Sequence, residues 1–158
     1  ASPARVLSMV LAQPVIGSGC LGQEKRLKII SAREKLLADL GVQEYAKRHV
    51  RRSVAAGAGP AVVRKGIEVT CWTRERGYLA QWRAMAMANI FNEIPKEPGT
   101  TTVVAGNGDR TASREVVSRI AAAISGARLV ELPDVGHMIY LEYPERFNAV
   151  LAEHISRT

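Results

Sequence analysis

Hydrophobic positions along the chain change period twice. Arg5 to Ala12 (RVLSMVLA) is a short apolar run containing β-branched residues and closed off by Pro14, the pattern of a buried strand in a parallel sheet followed by a loop. Gly17, Gly19 and Gly22 then break the chain. From Gln23 to about Phe91 the period is helical: Leu27, Ile30, Leu36, Leu37 and Leu40 fall mostly on one face, and Gly41 stands where a left-handed C-cap residue is wanted. Further helices are predicted at Val42 to Val54, at Pro60 to Trp72 with Pro near the start, and at Glu75 to Phe91. After a linker at Ile94 to Thr100, with Pro95, Pro98 and Gly99, strand and helix alternate. Thr101 to Ala105 and Arg128 to Leu132 read as strands, Ser113 to Ile124 as a helix with a Ser N-cap, and Pro144 to Ile155 as a closing helix. Alternation of this kind predicts an α/β fold with a parallel sheet. The chain thus divides into a sheet strand over 1–16, an all-helical insert over 17–93 and a strand-helix part over 94–158.

Composition narrows the classes. A length of 158 residues is enough for one ordinary domain with its own core, and 47% hydrophobic with 23% charged residues is a globular balance. No apolar run approaches the roughly 20 residues needed to cross a bilayer, so no membrane partner is expected. The first residues lack the basic start, apolar middle and cleavage site of a secretion signal, and they read as the middle of a longer sequence. Cys20 and Cys71 are too few for a disulfide framework and have no metal-ligand spacing, so a reducing cytoplasm and no metal site are expected.

The net charge of +7 raises the question of a nucleic-acid partner. Residues 23–93 hold 14 of the 22 Lys and Arg but 7 of the 15 Asp and Glu, so all the excess lies in the helical insert. Lys47, Arg48, Arg51 and Arg52 cluster around His49. No aromatic interleaving or nucleic-acid motif accompanies them, so the reading is a solvated helical face, with an anionic substrate as an alternative and nucleic acid not expected. His49 and His154, on helices among charged residues, are expected to be exposed.

In open parallel sheets functional groups collect beyond the carboxyl ends of the strands. The strand TTVVA runs into Gly106-Asn107-Gly108-Asp109-Arg110, which presents an acid at the rim. RLVEL runs into Pro133-Asp134-Val135-Gly136-His137, which presents a histidine in the same way. Acid then His at successive strand ends is the tail of a nucleophile-acid-base triad. Asp134 is nearer to His137 in sequence and is a rival partner, although a turn role fits it better. Trp82 and Met85 in the insert, and Met138 beside His137, are candidates to line a substrate pocket; Trp72 and Met87 have spacings suited to helix packing.

From Thr101 to Ile155 the sequence resembles the C-terminal end of the α/β-hydrolase superfamily. The carrying motifs are Gly106 to Asp109, Pro133 to His137, and Glu142, Pro144, Glu145 and Phe147 ahead of the last helix. Ser2 to Pro14 resembles that family's sixth strand, and Arg76-Gly77-Tyr78 through Ala86 resembles a cap helix of esterases and 3-oxoadipate enol-lactonase-like members. The resemblance implies a partial α/β-hydrolase fold, with edge strands of a parallel sheet, flanking helices and a helical cap at 17–93. It implies ester or lactone hydrolysis without a cofactor, with His137 as general base and Asp109 orienting it.

The nucleophile is the missing part. No Gly-x-Ser-x-Gly occurs in the 158 residues, and the first five strands and the elbow of the family would precede Ala1. Ser18-Gly19-Cys20-Leu21-Gly22 offers Cys20 in a small-x-nucleophile-x-small setting and in the right order, but an elbow should follow directly on a strand. The same glycines spell Gly17-x-Gly19-x-x-Gly22, a dinucleotide fingerprint, yet its acid would be Asp39 in a helical run, so no dinucleotide is expected. The expectation is a hydrolase fragment, inactive alone. Its exposed sheet edge would need an N-terminal half-chain or another copy as cover, and a small ester or lactone would be the substrate once it is complemented. A truncated or degraded gene product is an equal expectation to a half-enzyme awaiting its partner; further alternatives are a Cys20 hydrolase and a non-catalytic binding module with a basic cap.

Overall fold

The computed structural model describes residues 5–92, 94 and 99–158. Ser2 to Ala4 of the first strand motif, and Pro95 and Pro98 of the linker, lie outside the described residues. Three parallel strands, β1 (Ser8–Ala12), β2 (Thr100–Gly106) and β3 (Arg128–Leu132), form one sheet in that order. Ser8 pairs with Thr100 and Ala12 with Val104; Thr102 pairs with Arg128 and Gly106 with Leu132. The register brings the carboxyl ends of all three strands to one rim.

β2 is the central strand, and residues 101–106 are all buried. Its alternation feeds two cores, because successive side chains of a strand point to opposite faces. Val103 and Ala105 pack with Val117, Ile120, Ala121 and Ile124, which belong to or adjoin α4 (Arg114–Ala123). Val104 packs on the other face with Ile139 of α5 (Ile139–Glu142) and Val150 of α6 (Pro144–Ser156). Ser113 caps α4 by accepting from Val116 N at 3.3 Å, and Pro144 occupies the first turn of α6, where a missing N–H costs nothing. β1 pairs with no described strand on its far side.

Between β1 and β2 lie α1 (Gln23–Ser53), α2 (Pro60–Cys71) and α3 (Glu75–Met87), with a short 3-10 turn at Ile90–Asn92. α1 is bent at Gly41, whose φ of 68° is not helical, so the expected stop and restart there appear as one kinked helix. Leu37, Tyr45 and Tyr78 form the core of this helical layer, with the two tyrosine rings edge to face at 5.2 Å. Where the layer meets the sheet, Val50, Val54 and Met138 make a further core. Among the described residues no helix is long and apolar enough to cross a membrane.

Candidate active site

The loop after β2 is organised around one carboxylate. Asp109 Oδ1 accepts from the N–H groups of Thr111 (2.6 Å) and Ala112 (3.1 Å), and its Oδ2 lies 2.8 Å from His137 Nδ1. The Asp109 side chain is fully buried, whereas that of His137 keeps 25% exposure. A carboxylate out of water is tolerable only with donors on it, and these three supply them. With the carboxylate as acceptor, His137 carries its proton on Nδ1, leaving Nε2 as the nitrogen able to take another. Asp134 does not compete. It is exposed, has φ 60°, and donates its backbone N–H to Asn107 Oδ1 at 2.6 Å, a turn role that ties the two loops together.

Two buried polar side chains fix the loop that carries His137. Gln13, just past β1, donates from Nε2 to Gly136 O (2.5 Å) and accepts at Oε1 from Gly106 N (2.9 Å), so one amide spans the acid loop and the histidine loop. It does so from a left-handed backbone, φ 50°. Glu142 accepts at Oε2 from Ala55 N (2.8 Å) and Gly136 N (3.0 Å), and at Oε1 from Met138 N (3.1 Å). The carboxylate therefore grips the backbone on both sides of His137 and ties it to the end of α1. His137 N itself donates to Ser53 O at 2.6 Å. This crowding explains Gly136: a Cβ there would lie 2.6 Å from Val54 C and 2.7 Å from Ser53 O. None of these clamps is visible in sequence patterning, although Glu142 falls in the family-like motif.

A cavity of about 590 Å³ opens between the helical layer and the rim of the sheet. Asp109, Arg110 and Thr111 line one side, and Val15, Ile16 and Ser18 another. α1 contributes Arg33 and Leu36, then Tyr45, Arg48, His49 and Arg52. The last four stand at i, i+3, i+4 and i+7, so one stripe of the helix faces inward. The basic cluster is exposed, as expected of a solvated face: Lys47, Arg48, Arg51 and Arg52 all meet solvent, Lys47 pairs with Glu44 at 3.3 Å, and Arg48 and Arg52 also border the cavity. His49, expected to be exposed, is instead half-buried. Its ring stacks on Tyr45, and burial, then the positive charge of His137, Arg33 and Arg52, holds its pKa below the ordinary value.

Of the other candidates, Trp82 and Met85 line the cavity and Met138 does not. Met138 is 7% exposed and packed with Val50 and Val54, because the backbone that turns His137 outward turns its neighbour into the core. Cys20 is exposed in the turn before α1, eight residues beyond the end of β1, and is not among the lining residues. The nearby glycines have a packing reason: Gly19 N donates to Ala88 O at 2.7 Å, and a Cβ on Gly19 would meet the carbonyls of Met87 and Ala88 at 2.6 Å. His154, expected outside, is 3% exposed and bonded through Nδ1 to Thr102 Oγ1 at 2.9 Å, locking α6 to β2. Among the described residues no three His, Cys, Asp or Glu side chains come together as a metal-ligand group.

A parallel sheet with a helical layer inserted after one strand, and an acid and a histidine meeting beyond the next two, has the architecture of one end of an α/β-hydrolase. The model of the Alpha/beta hydrolase family matches residues 3–150, and the chain belongs to that family. Compared with curated proteins, the chain matches none. Among solved structures it is similar to an esterase from Thermogutta terrifontis (TM-score 0.84, 19% identity, 98% of this chain and 57% of that one). It is also similar to the enol-lactonase from Burkholderia xenovorans LB400 (TM-score 0.81, 22% identity, 96% and 57%). A hydrolase from Pseudomonas aeruginosa PA01 is a third (TM-score 0.80, 24% identity, 98% and 57%). The chain thus spans a little over half the length of these structures, with the fold in common.

Proposed function

We propose that this chain supplies the acid, the base and the cap of an ester or lactone hydrolase whose nucleophile lies in the part of the fold it does not span. The observation that carries the reading is the 2.8 Å contact between His137 Nδ1 and a buried Asp109 carboxylate beside a cavity. In this reading His137 Nε2 takes the proton of an attacking hydroxyl and later returns it to the leaving group. Asp109 holds the tautomer and stabilises the imidazolium. Residues 17–93 act as the cap, with Trp82 and Met85 in the substrate wall. Among the described residues no serine or cysteine sits on a turn that directly follows a strand, where backbone N–H groups could also stabilise an oxyanion. The unpaired edge of β1 is where the remaining strands would add, from a longer chain, a separate half-chain or another copy.

The test has two parts. In the 158-residue chain, the His137 Nδ1 proton should give a far-downfield NMR resonance that Asp109→Asn removes. The chain alone should not turn over p-nitrophenyl butyrate. Joined with an N-terminal hydrolase portion bearing the elbow, it should, and His137→Gln should lower that turnover by about 10³-fold or more. Turnover by the chain alone that Cys20→Ala abolishes would overturn the reading in favour of a cysteine enzyme.

A further inference from the structure

We propose that the cavity selects an ester or lactone carrying a negative charge remote from its carbonyl, held by Arg33 and Arg52 of α1. This rests on the hydrolase reading above and adds the substrate class. Three observations support it. First, the charge lining the cavity is one-sided: Arg33, Arg48, Arg52 and Arg110 stand against Asp109, whose two oxygens are already taken by His137 and two backbone donors. Among the described residues neither Arg33 nor Arg52 has a carboxylate within ion-pair distance; Arg48 has only Glu44, at 3.9 Å.

Second, Arg33 is held in place. Its guanidinium lies over the Trp82 ring at 4.2 Å, and Trp82 Nε1 donates to Tyr45 Oη at 2.9 Å, so the stack is anchored to the buried core of the helical layer. A guanidinium fixed by its face keeps its edge donors for an anion, and less freedom is lost on binding. Third, Arg33 and Arg52 line the same cavity as Asp109, whose carboxylate lies 2.8 Å from the proposed base at His137 Nδ1. An anion at Arg33 and Arg52 would leave its uncharged end to the rest of the cavity, whose wall includes Val15, Ile16 and Met85 and also Asp109, the partner of His137. The charge is needed for capture and orientation, and the reacting carbonyl is left for the hydrolytic groups.

The experiment compares monomethyl glutarate with dimethyl glutarate, which share a chain and an ester and differ by one charge. Binding to the 158-residue chain at low ionic strength is read from the Trp82 indole N–H resonance, assigned with Trp72→Phe. The monoester should bind about tenfold or more tighter, as expected of a charge-assisted contact in a partly enclosed site. Arg33→Gln combined with Arg52→Gln should remove that preference, while the corresponding double Lys variant should keep most of it; retained thermal unfolding confirms that each variant is folded. Equal affinity for the two esters, no shift with either, or a preference that survives the double Gln variant would overturn the proposal. Hydrolysis is not read, so the hydrolase reading fails separately, if the chain binds the monoester yet no complemented form shows turnover dependent on His137.

Discussion

Replacing Glu142 by Gln tests whether the histidine loop is held as described. The carboxylate takes three backbone donors, Ala55 and Gly136 on Oε2 and Met138 on Oε1, in a site where Glu142 is buried. Glutamine is nearly isosteric but has one oxygen. With that oxygen in the Oε2 place, its NH2 faces the Met138 N–H, and one buried donor is left without an acceptor, at about 1–3 kcal/mol. The two bonds retained lose their charge assistance, which removes about 1 kcal/mol more. The sum, about 2–4 kcal/mol, corresponds to a fall in Tm of about 4–16 °C for a domain of this size. The opposite amide orientation strands two donors and is worse. Thermal and urea unfolding of the 158-residue chain measure the change. Glu142→Ala, which strands all three donors, should cost more than Glu142→Gln. A loss below about 0.5 kcal/mol for Glu142→Gln would refute the reasoning, since it would mean that water or relaxed backbone satisfies these groups without the carboxylate.

Two further predictions follow from the same loops and the cavity. Gln13→Ala leaves Gly106 N–H and Gly136 C=O without partners and should lower stability by about 2–4 kcal/mol; Gln13→Gly loses the same bonds but relieves the left-handed backbone at φ 50°, so it should be about 1 kcal/mol less damaging in urea unfolding. Because His49 is held below its ordinary pKa, the unfolded chain takes up that proton first as pH falls, and this group contributes a loss of stability on acidification below about pH 6.5. His49→Gln should flatten that part of the profile, and Arg52→Gln should raise the His49 pKa in an imidazole NMR titration.

Some of this was determined by the sequence alone. The periods of 2 and 3.6 are local properties, and they set out β2, α4, β3 and α6 nearly to the residue. The order of Asp109 and His137 was equally legible, because strand ends in a parallel sheet share a rim and each motif sits at one. Burial of polar groups was not legible. His154 looks like a surface residue until Thr102, 52 positions away, is seen as its partner, and Gln13 has no evident role until Gly136, 123 positions away, accepts from it. The basic cluster of α1, by contrast, was legible as a solvated face, since Lys47, Arg48, Arg51 and Arg52 are all exposed; only the place of Arg48 and Arg52 at the rim of one cavity waited for the fold. The physical reason is common to His154 and Gln13. Hydrophobic period follows from the local backbone, whereas a buried polar side chain is decided by whichever distant donor or acceptor the fold brings to it.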